Sequence, residues 1–165
     1  MDLYVVRHGI AFARDPKEWP DDRDRPLTSK GRSRFNAAAR GLKELAPRVE
    51  KALSSPLVRA WQTAEILEEA AGWPAAARFE ALEPGRTPEE VVAALAAHAS
   101  AASLALVGHE PLLGELISYL LSGDGARVSF DLKKGSVTAL RIDTLQPGSA
   151  TLLWLATPRM MRTRF

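Results

Sequence analysis

The sequence predicts an α/β fold: a three-layer α/β/α arrangement around a mainly parallel, mixed central sheet. Three observations carry that prediction. Short apolar runs, such as residues 3–6 and 104–107, alternate with longer amphipathic stretches. Helix-start signals follow several of these runs directly, as βαβ units require. The last two apolar runs, 137–142 and 151–156, flank a short turn containing Gln146-Pro147-Gly148. That spacing pairs them antiparallel and makes the sheet mixed. Nothing in the 165 residues repeats or reads as a linker, which predicts one domain over 1–165.

Residues 3–6 read as a buried first strand. Residues 10–27 hold three prolines and many charges and read as a loop. Residues 28–45 read as a helix and 49–54 as a weak second strand. Ser55-Pro56 supplies a favoured N-cap and a proline at the first helical position, predicting a helix that stops at Gly72. Residues 79–82 read as a third strand. Thr87-Pro88-Glu89-Glu90 is a capping box, opening a helix through Val91, Val92 and Leu95. Residues 103–107 form a fourth strand, and Glu110-Pro111 begins a helix running through Leu120. Residues 123–134 read as loop.

Lysine and arginine total 22 and acidic residues 20, a formal net charge of +2. There is no basic stripe with interleaved aromatics, so nucleic acid is not an expected partner. The basic tail 159–165 reads as a solvated terminus, with anionic-surface binding as the alternative. Cysteine is absent, which excludes disulfides and thiolate zinc sites. No leader pattern opens the chain and no apolar run reaches membrane-span length. The expected location is cytoplasmic, with no membrane partner; oligomeric state is left open.

The histidines concentrate the chemistry. His8 follows the first strand and His109 the fourth; His98 lies elsewhere. Open α/β sheets bind ligands beyond the carboxyl ends of their strands, so His8 and His109 fall where a site is expected. Arg7 adds a planar, permanently charged fork suited to phosphate oxygens. Gly9 allows a tight turn and close ligand approach. Arg59 falls in the first turn of its helix, where free N–H groups and the dipole favour an anion. Two arginines and two histidines gathered at one sheet end repel one another unless an anion joins them, and a phosphoryl group is the common dianion.

Four segments complete the pattern: Arg7-His8-Gly9 with Ala11, Arg25-Pro26-Leu27-Thr28-Ser29-Lys30-Gly31, Ser54-Ser55-Pro56 through Arg59 and Gln62-Thr63-Ala64, and Val107-Gly108-His109-Glu110-Pro111. On these residues the chain resembles the histidine phosphatase superfamily, with its phosphoglycerate mutase-like fold. Within it, the chain looks most like the SixA-type phosphohistidine phosphatases. The segments stand in the family's order and span most of the sequence.

The resemblance implies a phosphatase that uses no metal and no cofactor. It implies His8 as a nucleophile that is transiently phosphorylated, with Arg7, Arg59 and His109 gripping the phosphoryl oxygens. A histidine nucleophile must be neutral on its attacking nitrogen, and nearby arginines favour that form. The other ring nitrogen needs an acceptor, expected to be a backbone carbonyl near Gly9. His109 would work best as an imidazolium, a form that a bound dianion encourages. Glu83 is the expected general acid; Glu110, which could equally be a helix cap, is the alternative. Arg14, Lys30 and Arg32 are candidates for the entrance, and Trp19 either covers the site or anchors its loop.

The chain is short for this superfamily, which leaves little room for lid insertions and implies a shallow site. Ile10-Ala11 also stands where the resembling mutases tend to carry an acidic-serine pair. The expected partner is therefore a protein bearing phosphohistidine, with a small phosphomonoester as the alternative. Two non-enzymatic readings are a phosphate-binding module, which would have lost one of the four clustered residues, and a nucleic-acid binder using the tail.

Overall fold

The computed structural model describes residues 1–163. Arg164 and Phe165 of the basic tail lie outside the described residues. Strand β1 (Asp2–Arg7) has two apolar faces, Leu3 and Val5 on one and Tyr4 and Val6 on the other. Strand β4 (Ser103–Gly108) is buried at every position and splits the same way, Leu104 and Leu106 against Ala105 and Val107. A strand apolar on both faces belongs in the middle of a sheet covered on both sides.

These two strands pair in parallel at the centre. Strand β2 (Lys51–Ser54) lies parallel beside β4, and β3 (Ala76–Arg78) parallel beside β2. Strands β5 (Val137–Ile142) and β6 (Ala150–Ala156) add an antiparallel pair on the far side of β1. The sheet order is β3-β2-β4-β1-β5-β6. Helices α1 (Ser29–Leu45), α2 (Val58–Ile66) and α5 (Pro158–Arg162) cover one face, burying Phe35, Leu42, Ala60 and Met161. Helices α3 (Pro88–Leu95) and α4 (Leu112–Ser122) cover the other, burying Val91, Leu95, Leu116 and Leu120. The predicted three layers and mixed sheet are what the chain builds.

Local signals explain most boundaries. Thr28 caps α1, its hydroxyl accepting from the Gly31 N–H at 2.8 Å. The Thr87 capping box opens α3 as its sequence predicts. Beyond Ile66 the helix widens into a π turn, Leu67–Ala71, and stops at Gly72 with φ 74°. No described helix is long and apolar enough to cross a membrane.

Three expectations are corrected. Helix α2 starts at Val58 rather than Pro56, with Leu57 at the N-cap and no side-chain cap. The Ser55 hydroxyl accepts from the Leu57 N–H only at 3.4 Å and lies closer to His109, 2.8 Å from Nε2. The third strand is Ala76–Arg78, not 79–82. It lies at the sheet edge with two of three residues exposed, so no apolar run marks it. Residues Glu80–Leu82 form a 3-10 turn that buries Leu82. The tail is not simply solvated. Thr157 caps α5, which buries Met161 against α1.

Candidate active site

Because β1 and β4 run parallel in register, Arg7 opposite Gly108, both strands release their next residue at the same sheet end. The His8 N–H donates to the Gly108 carbonyl at 3.0 Å. His8 and His109 therefore meet, ring centroids 5.2 Å apart, at 7% and 3% exposure.

His8 Nδ1 lies 2.7 Å from the Gly9 carbonyl, the acceptor expected from sequence. A carbonyl only accepts, so Nδ1 carries the proton and Nε2 keeps its lone pair. Burial is the main cause that pushes His8 from its ordinary 6.5 down to about 3. The Gly9 carbonyl opposes this, while the charges of Arg59, Arg7 and Lys134 add to it. His109 is pushed down to about 2, first by burial, then by His8, Arg59 and Arg25, with Asp22 opposing. The protein groups around position 109 thus favour a neutral ring, and the expected imidazolium requires the charge of a bound dianion. Gly9 makes its turn without a positive φ.

Arg59 stands in the first turn of α2 at 4% exposure. Its Nη1 donates to the Asp22 carbonyl at 2.8 Å and its Nη2 to Asp22 Oδ2 at 3.1 Å. Asp22 therefore takes one N–H on each terminal nitrogen of the fork, two of its five donors, and Nε is left without a partner. Arg7 donates through Nη1 to the Leu132 carbonyl. The Nε atoms of Arg7 and Arg59 and Nδ1 of His109 are all buried and have no hydrogen-bond partner among the described residues. Partnerless buried nitrogens are rare in folded proteins and ask for a ligand.

Several neighbours position this cluster. Thr63 accepts from the Gly9 N–H at 3.0 Å and donates to the Arg59 carbonyl at 2.7 Å, tying α2 to the His8 turn. Asp22 sits in a 3-10 turn, Asp22–Asp24, within loop 10–27. A hydrogen bond from Arg25 Nε at 2.7 Å is the main cause holding its carboxyl below the usual range. Sequence reasoning missed Ser55, Thr63 and Asp22 as site residues. Ser55 and Thr63 lie inside motif segments but carry no signal separating them from helix residues. Asp22 is one acidic residue of five in its loop, counting Asp15, Glu18, Asp21 and Asp24.

The two candidate acids sit differently. Both Glu83 oxygens accept from Arg23, at 2.6 and 3.3 Å, which brings Glu83 to the turn carrying Asp22. No hydrogen bond joins Glu83 to either histidine among the described residues. Glu110 Oε1 accepts from the Gly114 N–H at 3.1 Å, a first-turn contact of α4. Burial raises its pKa, with Arg7 the leading opposing charge. Trp19 packs on Phe12, ring centroids 5.1 Å apart, so it anchors its own loop. Arg14 lies 3.9 Å from Asp22 and is largely exposed, as are Lys30 and Arg32. His98 stands apart, edge-on to Phe79.

The family model of the histidine phosphatase superfamily (branch 1) matches residues 3–83. The phosphohistidine phosphatase SixA of Escherichia coli K12 is 30% identical over 164 residues, spanning 96% of this chain and 94% of its own. The chain belongs to the histidine phosphatase superfamily. An uncharacterized protein from Picosynechococcus sp. is 41% identical over 143 residues, 86% of this chain and 85% of that one. The solved structure of the protein histidine phosphatase SixA complexed with tungstate superposes with a TM-score of 0.83. Its identity is 28%, over 96% of this chain and 98% of that chain. The superfamily member described here therefore has the phosphoglycerate mutase-like fold, is of SixA type, and stands among hydrolases acting on phosphoric monoester bonds.

Proposed function

We propose that this histidine phosphatase removes phosphoryl groups from phosphohistidine on a protein, through a phosphohistidine intermediate formed on His8. One observation carries the reading: three buried, partnerless nitrogens, from Arg7, Arg59 and His109, gather around a neutral His8. Such a cluster is preorganised for the equatorial oxygens of a transferring phosphoryl group.

In the first step the Nε2 lone pair forms a bond to phosphorus, and the bond from phosphorus to the substrate nitrogen breaks with its electrons on the leaving imidazole. Water then attacks the phosphoenzyme, and the Nε2–P bond breaks to release phosphate and restore His8. Neutral His109 still serves as a donor. The Ser55 hydroxyl accepts from the Leu57 N–H at 3.4 Å and lies 2.8 Å from Nε2; in the proposed tautomer it donates there, which puts the ring proton on the partnerless Nδ1 for the phosphoryl group. Arg59 is clamped by Asp22, which fixes its partnerless Nε–H and the second N–H of each terminal nitrogen in place.

Glu83 is the proposed acid, released from Arg23 when substrate enters. An imidazole leaving group needs less protonation than an alkoxide. Glu83→Gln should therefore slow an alkyl phosphate far more than phosphohistidine; equal slowing of both would reject this role. A protein substrate fits the SixA relationship. A cytoplasmic location belongs to the same proposal and suits a chain without cysteine.

The deciding experiment is transient 32P labelling from a protein carrying labelled phosphohistidine. The wild type should trap an acid-labile phosphoenzyme and His8→Ala should not. Labelling that survives His8→Ala overturns the mechanism. Faster turnover of sugar or nucleotide phosphates than of the phosphoprotein would move the substrate to the small phosphomonoesters.

A further inference from the structure

A cavity of about 360 Å³ is lined by Gly9 and Ile10, the two residues after His8, and by neither His8 nor His109. Gly9 forms part of its inner wall, so it opens one residue from His8. Its floor is apolar, built from Phe35 of α1, at 2% exposure, and Pro158 of α5. Its rim carries five exposed cations: Arg34 from α1, Lys133 and Lys134 from the loop before β5, and Arg159 and Arg162 from α5. Among the described residues, no carboxylate lines it.

Among the described residues, the one rim cation in a salt bridge is Lys133, with Asp131 at 2.6 Å. Among the described residues, no carboxylate lies within 4.0 Å of the charged groups of Arg34, Lys134, Arg159 or Arg162. Like charges held around a pit repel one another, and that field favours an anionic partner. The wall is also fixed to the catalytic strand: the Gly135 N–H donates to the carbonyls of Arg7 and His8, each at 3.0 Å. A ligand resting on Lys134 is thus held in register with His8.

The layout selects among anions. An inorganic ion would use one or two cations and leave the apolar floor uncovered. Here the cations come from three separate segments and surround that floor. This suits an apolar side chain flanked by carboxylates. We propose that the cavity is a substrate subsite that takes an acidic segment of the phosphoprotein, seating one apolar side chain on Phe35 and Pro158 and its carboxylates on the cationic rim. The proposal rests on the phosphoprotein reading above and adds the sequence preference of that partner.

The test uses three phosphohistidine peptides of equal length, whose flanking residues are Glu with a central Leu, Ser with a central Leu, or Glu with a central Ser. Free phosphoramidate is the small reference substrate. The wild type should favour the Glu–Leu peptide by about tenfold in kcat/KM over the Ser peptide, lose part of that advantage for the peptide lacking Leu, and lose most of it in high salt. Arg34→Glu with Arg159→Glu should abolish the preference through KM and leave phosphoramidate turnover unchanged. Arg34→Ala with Arg159→Ala, which keeps the surface free of new charge, should weaken it. Equal kcat/KM on all three peptides, or a preference untouched by both double variants, overturns the subsite while leaving the phosphatase reading intact. Turnover of phosphoramidate with none of the peptides accepted overturns the phosphoprotein reading itself.

Discussion

His8 is neutral because burial outweighs its carbonyl partner and neighbouring arginines reinforce the effect. His109 follows the same logic more strongly. Between pH 8 and 5, the His8 and His109 imidazole signals in an NMR titration should therefore stay fixed. A midpoint near 6.5 for either of these rings would contradict the geometry. Thr63 is the other decisive side chain, since one hydroxyl serves both the Gly9 N–H and the Arg59 carbonyl. Thr63→Ala strands a buried N–H, at a cost of about 1–3 kcal/mol in denaturant unfolding. It should also lower the phosphoenzyme yield, because the His8 turn and Arg59 lose their tie. Thr63→Ser, which keeps the hydroxyl, should retain most of both. A Thr63→Ala protein as stable as wild type would remove this positioning role.

Helix α1 shows how one element serves both the core and the site. Two of its glycines lie where backbone presses close. A Cβ on Gly31 would fall 2.0 Å from the Ile10 carbonyl, and one on Gly41 2.0 Å from the Met161 carbonyl. Either alanine substitution forces a backbone shift and should cost about 1–3 kcal/mol in thermal unfolding. The functional outcomes should diverge. Gly31→Ala pushes the segment after Gly9 and should lower kcat/KM for phosphoramidate. Gly41→Ala should displace α5, sparing phosphoramidate while blunting discrimination between acidic and neutral peptides. Identical effects of the two on phosphoramidate would show that α1 does not separate these tasks. The start of α2 makes a related point. Ser55 reads as a cap because local preference favours it, but the hydroxyl is drawn to His109, a residue 54 positions away.

For the whole molecule, the buried histidine pair sets a pH dependence. Folded, the two rings titrate at about 3 and 2; unfolded, both return to about 6.5. Below 6.5 the unfolded chain binds more protons than the folded one, so stability falls as pH falls from there towards 3. Asp22 acts in the same direction: its carboxyl is held low by Arg25, and that contribution is lost on acidification. Urea unfolding from pH 7.5 to 4.5 should show the decline, with a shallower slope in His109→Phe. A flat profile in the wild type would contradict the burial of the pair. By itself the sequence determined the two-sided alternation of β1 and β4, the capping of α1 and α3, and the position of Arg7, His8, Arg59 and His109 at strand ends and helix starts. These are local patterns, set by the period of strand and helix and by chemistry within a few residues. Tertiary structure alone decided that Asp22 clamps the Arg59 fork, that Ser55 serves His109, that β3 pairs at an unmarked edge, and that α5 closes a cationic cavity beside Gly9. Each of these depends on which distant segments the β1–β4 register and the packing of α1 bring within hydrogen-bond reach, and no short-range pattern encodes that.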